Sequence, residues 1–190
     1  TLIFLVLLVV ASSSGSIALL MTLMALGIKA GDEVIVPNRT WIATAHAPMM
    51  LGAKSVLVDV LPDRPVMDTS LIREKINSRT RAIIPVPLCG CAVDMEEVWQ
   101  IAKDHNLLVV EDAAQGLFSR FHGKYMGTQS DAGCFSMAIS KLVSTGQVAQ
   151  KHPQKLWITR KAEQMTMAME FIDKQEATRT ARNELATRFP

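Results

Sequence analysis

The chain is short of charge where it begins. Thr1 to Ile28 contains no charged side chain, and the opening apolar run, TLIFLVLLVVA, stops after about ten residues, against the roughly 20 that a membrane-spanning helix requires. No basic flank and no initiating Met accompany it, so the run lacks the charged head of a secretory signal. A buried strand followed by a buried helix is the favoured reading, with a membrane or export segment as the alternative. The absent Met reads as a chain that starts inside a longer gene product. A net charge of +2 is too small for the electrostatic footprint of nucleic acid or of a membrane surface. Three cysteines, Cys89, Cys91 and Cys134, are an odd number without metal-ligand spacing. That argues against a disulfide framework and against a bound metal, and fits a reduced, cytoplasmic setting. No internal repeat or low-complexity linker appears. At 190 residues the chain can bury one real core but is short for a complete two-domain enzyme.

What is present is an ordinary soluble composition, 49% apolar and 20% charged, arranged in a regular rhythm. Ile3 to Val10 is continuous and β-branched, as a strand covered on both faces would be. Ser12 to Ser16 is a small polar turn, and Ile17 to Leu26 is helical and ends at Gly27. Glu33 to Val36 is a short strand closed by Pro37. A helix opens at Asn38-Arg39-Thr40, carries Trp41 in its first turn and runs to Leu51. Lys54 to Asp59 and Thr80 to Val86 are strands; between them Asp68 caps a helix through Ile76. Asp94 caps a helix from Met95 to His105. This alternation predicts an α/β fold, a three-layer α/β/α sandwich with a mostly parallel sheet. Ligands of such sheets bind beyond the carboxyl ends of the strands. Ser14 to Ser16, Trp41 and Asp112 all fall at such ends.

The stretch from Asn106 to Gly146 carries the chemistry. The apolar strand Leu107 to Val110 ends in two acids, Glu111 and Asp112, followed by Ala113, Ala114 and Gln115. After a hairpin-like segment, a second apolar run from Gly133 to Phe135 leads to Ser136 and then Lys141. A carboxylate at the end of a buried strand can keep a pyridine nitrogen protonated. At about 3 Å that contact is worth roughly 5 kcal/mol at an effective dielectric of about 20, before desolvation. A lysine that loses its proton when desolvated can condense with an aldehyde on the same ring. The cofactor that suits both groups is pyridoxal 5′-phosphate. Taken one at a time, Asp112 reads as a helix cap, Lys141 as a surface lysine, Trp41 as a core aromatic and the serine turn as plain capping. The turn is also a natural phosphate cradle, because free N–H groups and the helix dipole face an anion there.

Several separate motifs then occur in order: GSIALLMTLMALGIKAGDEVIVPNRTWIATA, LGAKSVLVDV, VVEDAAQ and DAGCFSMAISKLVSTGQ. Together, over roughly Ser12 to Gln147, they resemble the DegT/DnrJ/StrS sugar aminotransferases, pyridoxal-phosphate enzymes of the aspartate-aminotransferase fold (fold type I). The resemblance implies a cofactor-binding large domain over residues 1–147, incomplete at its amino terminus. It implies Lys141 as the imine-forming lysine and proton shuttle, Asp112 as partner of the ring nitrogen, and Gln115 on the phenolic oxygen. Trp41 would stack on the ring, and Gly15, Ser16 and Ser136 would contact the phosphate. Relatives with histidine at the lysine position remove a hydroxyl group instead, so Lys141 favours transamination. The implied reaction moves an amino group, usually from glutamate, to a keto sugar that is nucleotide-linked. The implied assembly is a homodimer with no nucleic acid and no metal.

The chain also departs from that pattern. After STGQ it reads VAQKHPQKLW where the family continues into a Gly-Gly turn and an apolar strand, and Pro87 stands where the family has a His. Residues 148–190, rich in Lys, Arg, Gln, Glu and Met, read helical from Gln154 onward. The smaller carboxyl-terminal domain is expected to be absent. A catalytically inactive remnant of such an enzyme is therefore the alternative function, and a membrane-associated interaction domain is the third.

Overall fold

The computed structural model describes residues 9–10, 12–138, 140–141 and 158–159. Five parallel strands form the centre of the sheet: β2 (Glu33–Pro37), β3 (Lys54–Val58), β4 (Thr80–Ile83), β5 (Leu108–Asp112) and β8 (Ala132–Cys134). They lie in the order β8-β5-β4-β2-β3. Beyond β8 come two short antiparallel strands, β9 (Ile158–Thr159) and, at the edge, β1 (Val9–Val10). A separate hairpin pairs β6 (Arg120–Phe121) with β7 (Lys124–Tyr125).

The strand period of two divides the core cleanly. Val34, Val36, Ala82, Ile84 and Val110 face one layer, where they pack with Ala18, Leu19 and Leu23 of α1 (Gly15–Ala25) and Ala47 of α2 (Ala43–Met50). Ile35, Ile83 and Val109 face the other layer and meet Met95, Val98, Ile101 and Ala102 of α3 (Met95–His105). The three-layer α/β/α arrangement expected from the sequence is the one observed.

Local chemistry sets the helix ends. Ser14 caps α1, its Oγ accepting from Ile17 N at 3.3 Å. At the other end Gly27 adopts a left-handed φ of 82°, which lets Ile28 N reach Leu23 O at 3.0 Å and Gly27 N reach Met24 O at 3.1 Å, the double closure that glycine permits. Asp94 caps α3 through Glu97 N at 3.1 Å, with Glu96 and Glu97 in the first turn and Lys103 and His105 in the last. Both charge sets oppose the helix dipole.

Several expectations change. Only Val9–Val10 of the proposed first strand lies within the described residues, and this pair is antiparallel to its neighbour, not part of the parallel run. The helix expected from Asp68 to Ile76 is two separate 3-10 turns, Thr69–Leu71 and Arg73–Lys75. The second turn has no buried residue to hold a longer helix against the sheet. The helix expected from Asn38 begins at Ala43, so Trp41 precedes it. Within the stretch read as a helical tail, Ile158–Thr159 is instead strand β9, two β-branched residues bridging β8 and β1. The sheet therefore continues past residue 147. The rest of the opening run and of that tail lies outside the described residues. Among the described residues no helix is long and apolar enough to cross a membrane.

Candidate active site

Asp112 is fixed by the centre of the sheet. Its backbone N–H donates to Pro85 O at 3.1 Å on one side, and the next N–H, of Ala113, donates to Cys134 O at 2.8 Å on the other. Alternation then separates the two acids of VVEDAAQ. Glu111 turns toward the hairpin side, fully buried, and accepts from Gly127 N, from Gln129 N at 2.7 Å and from Ser130 Oγ at 2.8 Å. It is a structural anchor for the loop leading into β8. Burial pushes its carboxyl above the ordinary range, against the pull of those three donors.

Asp112 turns to the opposite side, toward α1 and α2. It is 5% exposed, and burial raises its carboxyl, opposed by the Thr44 hydroxyl, the Ala114 N–H and the charge of Lys141. Thr44 Oγ1 donates to Asp112 Oδ2 at 2.6 Å, and Ala114 N donates to Oδ1 at 3.3 Å. Among the described residues no ion pair closes on Asp112. A buried carboxylate without a cation in contact is costly; a cationic ring N–H beside it would offset that cost.

All seven residues singled out in the sequence line one cavity of about 260 Å³: Gly15, Ser16, Trp41, Asp112, Gln115, Ser136 and Lys141. The cavity lies where the parallel strands end. A second hollow of about 410 Å³ shares Trp41, Gln115, Ser136 and Lys141 and extends to Leu117. Trp41 is 69% exposed, so its ring is free to cover a ligand. Lys141 is half-buried, and its backbone N–H closes a turn onto Ala138 O at 2.9 Å. Gln115 commits Oε1 to Cys89 N at 3.3 Å, which leaves its Nε2 to donate into the cavity.

The start of α1 meets the turn after β8 very closely. A Cβ on Gly15 would stand 3.1 Å from Ser136 Cβ and 3.4 Å from Ser136 Oγ. The N–H groups of Gly15 and Ser16 donate to no acceptor among the described residues, as expected in the first turn of a helix. These N–H groups and the Ser136 hydroxyl are donors of the kind that accommodates an anion. A phosphate, a cationic ring nitrogen and an amine-reactive carbon thus each find a matching group in one cavity, and pyridoxal 5′-phosphate fits this donor set.

Sequence reasoning missed Thr40 and Thr44, which lie four residues apart in TWIAT with their hydroxyls 3.0 Å apart. Thr40 precedes α2 and Thr44 lies in its first turn, so two threonines four residues apart at a helix start are the signal that could have found them. Pro87, the departure from the family's His, packs its ring on Gly116. A Cβ there would fall 2.2 Å from Pro87 Cγ, so the proline supports the loop carrying Gln115. Cys134 is buried, 3.4 Å from Thr22 Oγ1, and burial pushes its thiol up to about 12. It is a packing residue.

The chain is also similar to known proteins. The model of the DegT/DnrJ/EryC1/StrS aminotransferase family matches residues 5–148. The chain is 43% identical over 135 residues to GDP-perosamine synthase of Escherichia coli O157:H7, covering 71% of this chain and 37% of that protein. It is 45% identical over 132 residues to UDP-N-acetyl-3-dehydro-alpha-D-glucosamine 3-aminotransferase of Acidithiobacillus ferrooxidans, covering 70% and 36%. The crystal structure of NtdA from Bacillus subtilis with bound cofactor PMP superposes with a TM-score of 0.69 at 34% identity, over 81% of this chain and 33% of that one. The chain spans little more than a third of the length of the curated relatives it matches.

Proposed function

The chain belongs to the DegT/DnrJ/EryC1/StrS aminotransferase family, and on that premise we propose that it is the cofactor-binding part of a pyridoxal-phosphate-dependent transaminase. It moves an amino group from glutamate to the keto carbon of a nucleotide-linked sugar. The observation that carries this reading is the meeting of Asp112, Lys141 and the Gly15–Ser136 cradle in one cavity. The relatives named for GDP-linked and UDP-linked sugar products support the substrate class.

When bound, the cofactor supplies an aldehyde that condenses with amines and a protonated ring that withdraws electrons from the substrate carbon. The protein's own groups do the rest. Asp112 accepts from the ring N–H and keeps that proton in place. The Gly15 and Ser16 N–H groups and the Ser136 hydroxyl hold the phosphate. Gln115 Nε2 donates to the phenolic oxygen. Trp41 covers one face of the ring and excludes water from it. Lys141 Nζ, within the field of Asp112, would hold the aldehyde carbon and, once displaced from it by the incoming substrate amine, would as a free amine take and later return the proton of the substrate carbon.

We also propose a homodimer for the intact protein. Exposed Met24, Ile42, Met49 and Met50 on and beside α1 and α2 support an apolar contact there; a monomer in sedimentation at micromolar concentration would contradict it. Turnover is tested by adding glutamate to protein loaded with pyridoxal phosphate. The visible band of the bound cofactor should bleach as the amine is taken up. A band that forms and never bleaches would identify a non-catalytic remnant.

A further inference from the structure

We propose that Thr44 is the positioning residue of Asp112, and that the hydroxyl pair Thr40–Thr44 holds this carboxylate ionised and in one orientation. The inference rests on the functional reading above only for its purpose; its geometry stands alone. Thr44 is fully buried and Thr40 half-buried. Thr44 Oγ1 lies 2.6 Å from Asp112 Oδ2 and 3.0 Å from Thr40 Oγ1.

Proton counting gives the chain a direction. An ionised carboxylate only accepts, and a hydroxyl has one proton. Thr44 must therefore donate to Asp112, and Thr40 must donate to Thr44. With Oδ2 held in this way, Oδ1 keeps only the long 3.3 Å bond from Ala114 N, so it retains capacity for a strong bond from a ring N–H. Thr40 lines the same cavity; its proton is turned inward, so it presents lone pairs, not a donor, to the ligand.

The charged and titratable groups around Asp112 are few. Lys141 lowers its carboxyl and Glu111 lies on the other face of β5. The Cys134 thiol on β8 is buried and protonated near neutral pH. Helix α1 carries no ionisable side chain, and His46 on α2 is exposed. Thr44 thus gives Asp112 its shortest hydrogen bond, 2.6 Å against 3.3 Å from Ala114 N.

The test is the titration of the Asp112 carboxyl in cofactor-free protein, followed by carboxyl carbon resonances and assigned by the signal lost in Asp112→Asn. Thr44→Val should raise the midpoint by roughly one pH unit, the usual scale of one hydrogen bond to a carboxylate, and Thr44→Ser should restore it. Thr44→Ala gives the same comparison should the valine variant fail to fold. An unchanged midpoint in the folded variant, or no rescue by serine, overturns the proposal. Pyridoxal-phosphate affinity against pH is the second readout: its acid limb should move up with the carboxyl. If the carboxyl shifts as expected and wild type binds no cofactor, the functional reading fails and the positioning role stands.

Discussion

Gly15 and Ser136 approach so closely that a methyl group on the glycine would stand 3.1 Å from the serine Cβ. One residue opens helix α1 and the other follows strand β8, so the proposed phosphate cradle requires the α1 layer to be docked on the sheet. Gly15→Ala should weaken pyridoxal-phosphate binding roughly tenfold, or ~1.4 kcal/mol, by pushing Ser136 aside. Affinity for pyridoxal without its phosphate should not change. Fluorescence titration with both ligands checks this; equal losses would place the phosphate elsewhere.

Asp112→Asn should separate stability from function. Because burial raises the folded carboxyl above its unfolded value, stability falls as pH rises through the folded midpoint. The asparagine variant avoids that loss. Its cofactor-free Tm should exceed wild type by about 2–4 °C near neutral pH, the shift that ~1 kcal/mol produces in a domain of this size. The difference should vanish below the ordinary aspartate range. Added pyridoxal phosphate should raise the Tm of wild type and leave the variant nearly unchanged. Thermal scans at several pH values decide it.

Glu33 has the opposite sign. Hydrogen bonds from Asn77 and then Arg79 hold its carboxyl below the usual range. Its contribution is therefore present above the unfolded value and lost as pH falls through the lowered one. Glu33→Gln should remove this part of the acid limb of stability, seen in urea midpoints between neutral pH and pH 3. An acid limb identical to wild type would show that the cluster joining β2 to Asn77 and Arg79 adds nothing.

Glu111→Ala should destabilise by about 3 kcal/mol, since it strands the Gly127 and Gln129 N–H groups and the Ser130 hydroxyl in a dry interior. Glu111→Gln should cost nearly as much, because its amide NH₂ would face a backbone donor. Chemical denaturation provides the measurement. A loss under 1 kcal/mol in the alanine variant would contradict the anchor role.

How far the sequence could be read depended on how local each signal was. Helix α3 was legible to the residue, because Asp94, the acids after it and the apolar spacing of Val98, Ile101 and Ala102 all act within one element. Asp112 was separable from Glu111 only as a strand end, while their opposite directions followed from the pleat. The antiparallel edge was not legible: Val9 pairs with Thr159, 150 positions away. Residues 69–75 looked helical, yet Ile72, buried in the core between the two turns, and Asn77, drawn to Glu33 on β2, fix the segment through separate tertiary contacts. Thr44 escaped notice because a threonine inside a helix is locally unremarkable; its meaning lies in a strand 68 residues later.

The measurement that tests the central claim most directly is reductive trapping. Protein mixed with pyridoxal phosphate and treated with borohydride should carry one stable adduct on the peptide containing Lys141, and Lys141→Ala should carry none. An adduct spread over other lysines, or equal labelling of the alanine variant, would show that the lysine and the aspartate lining this cavity do not hold a common ring.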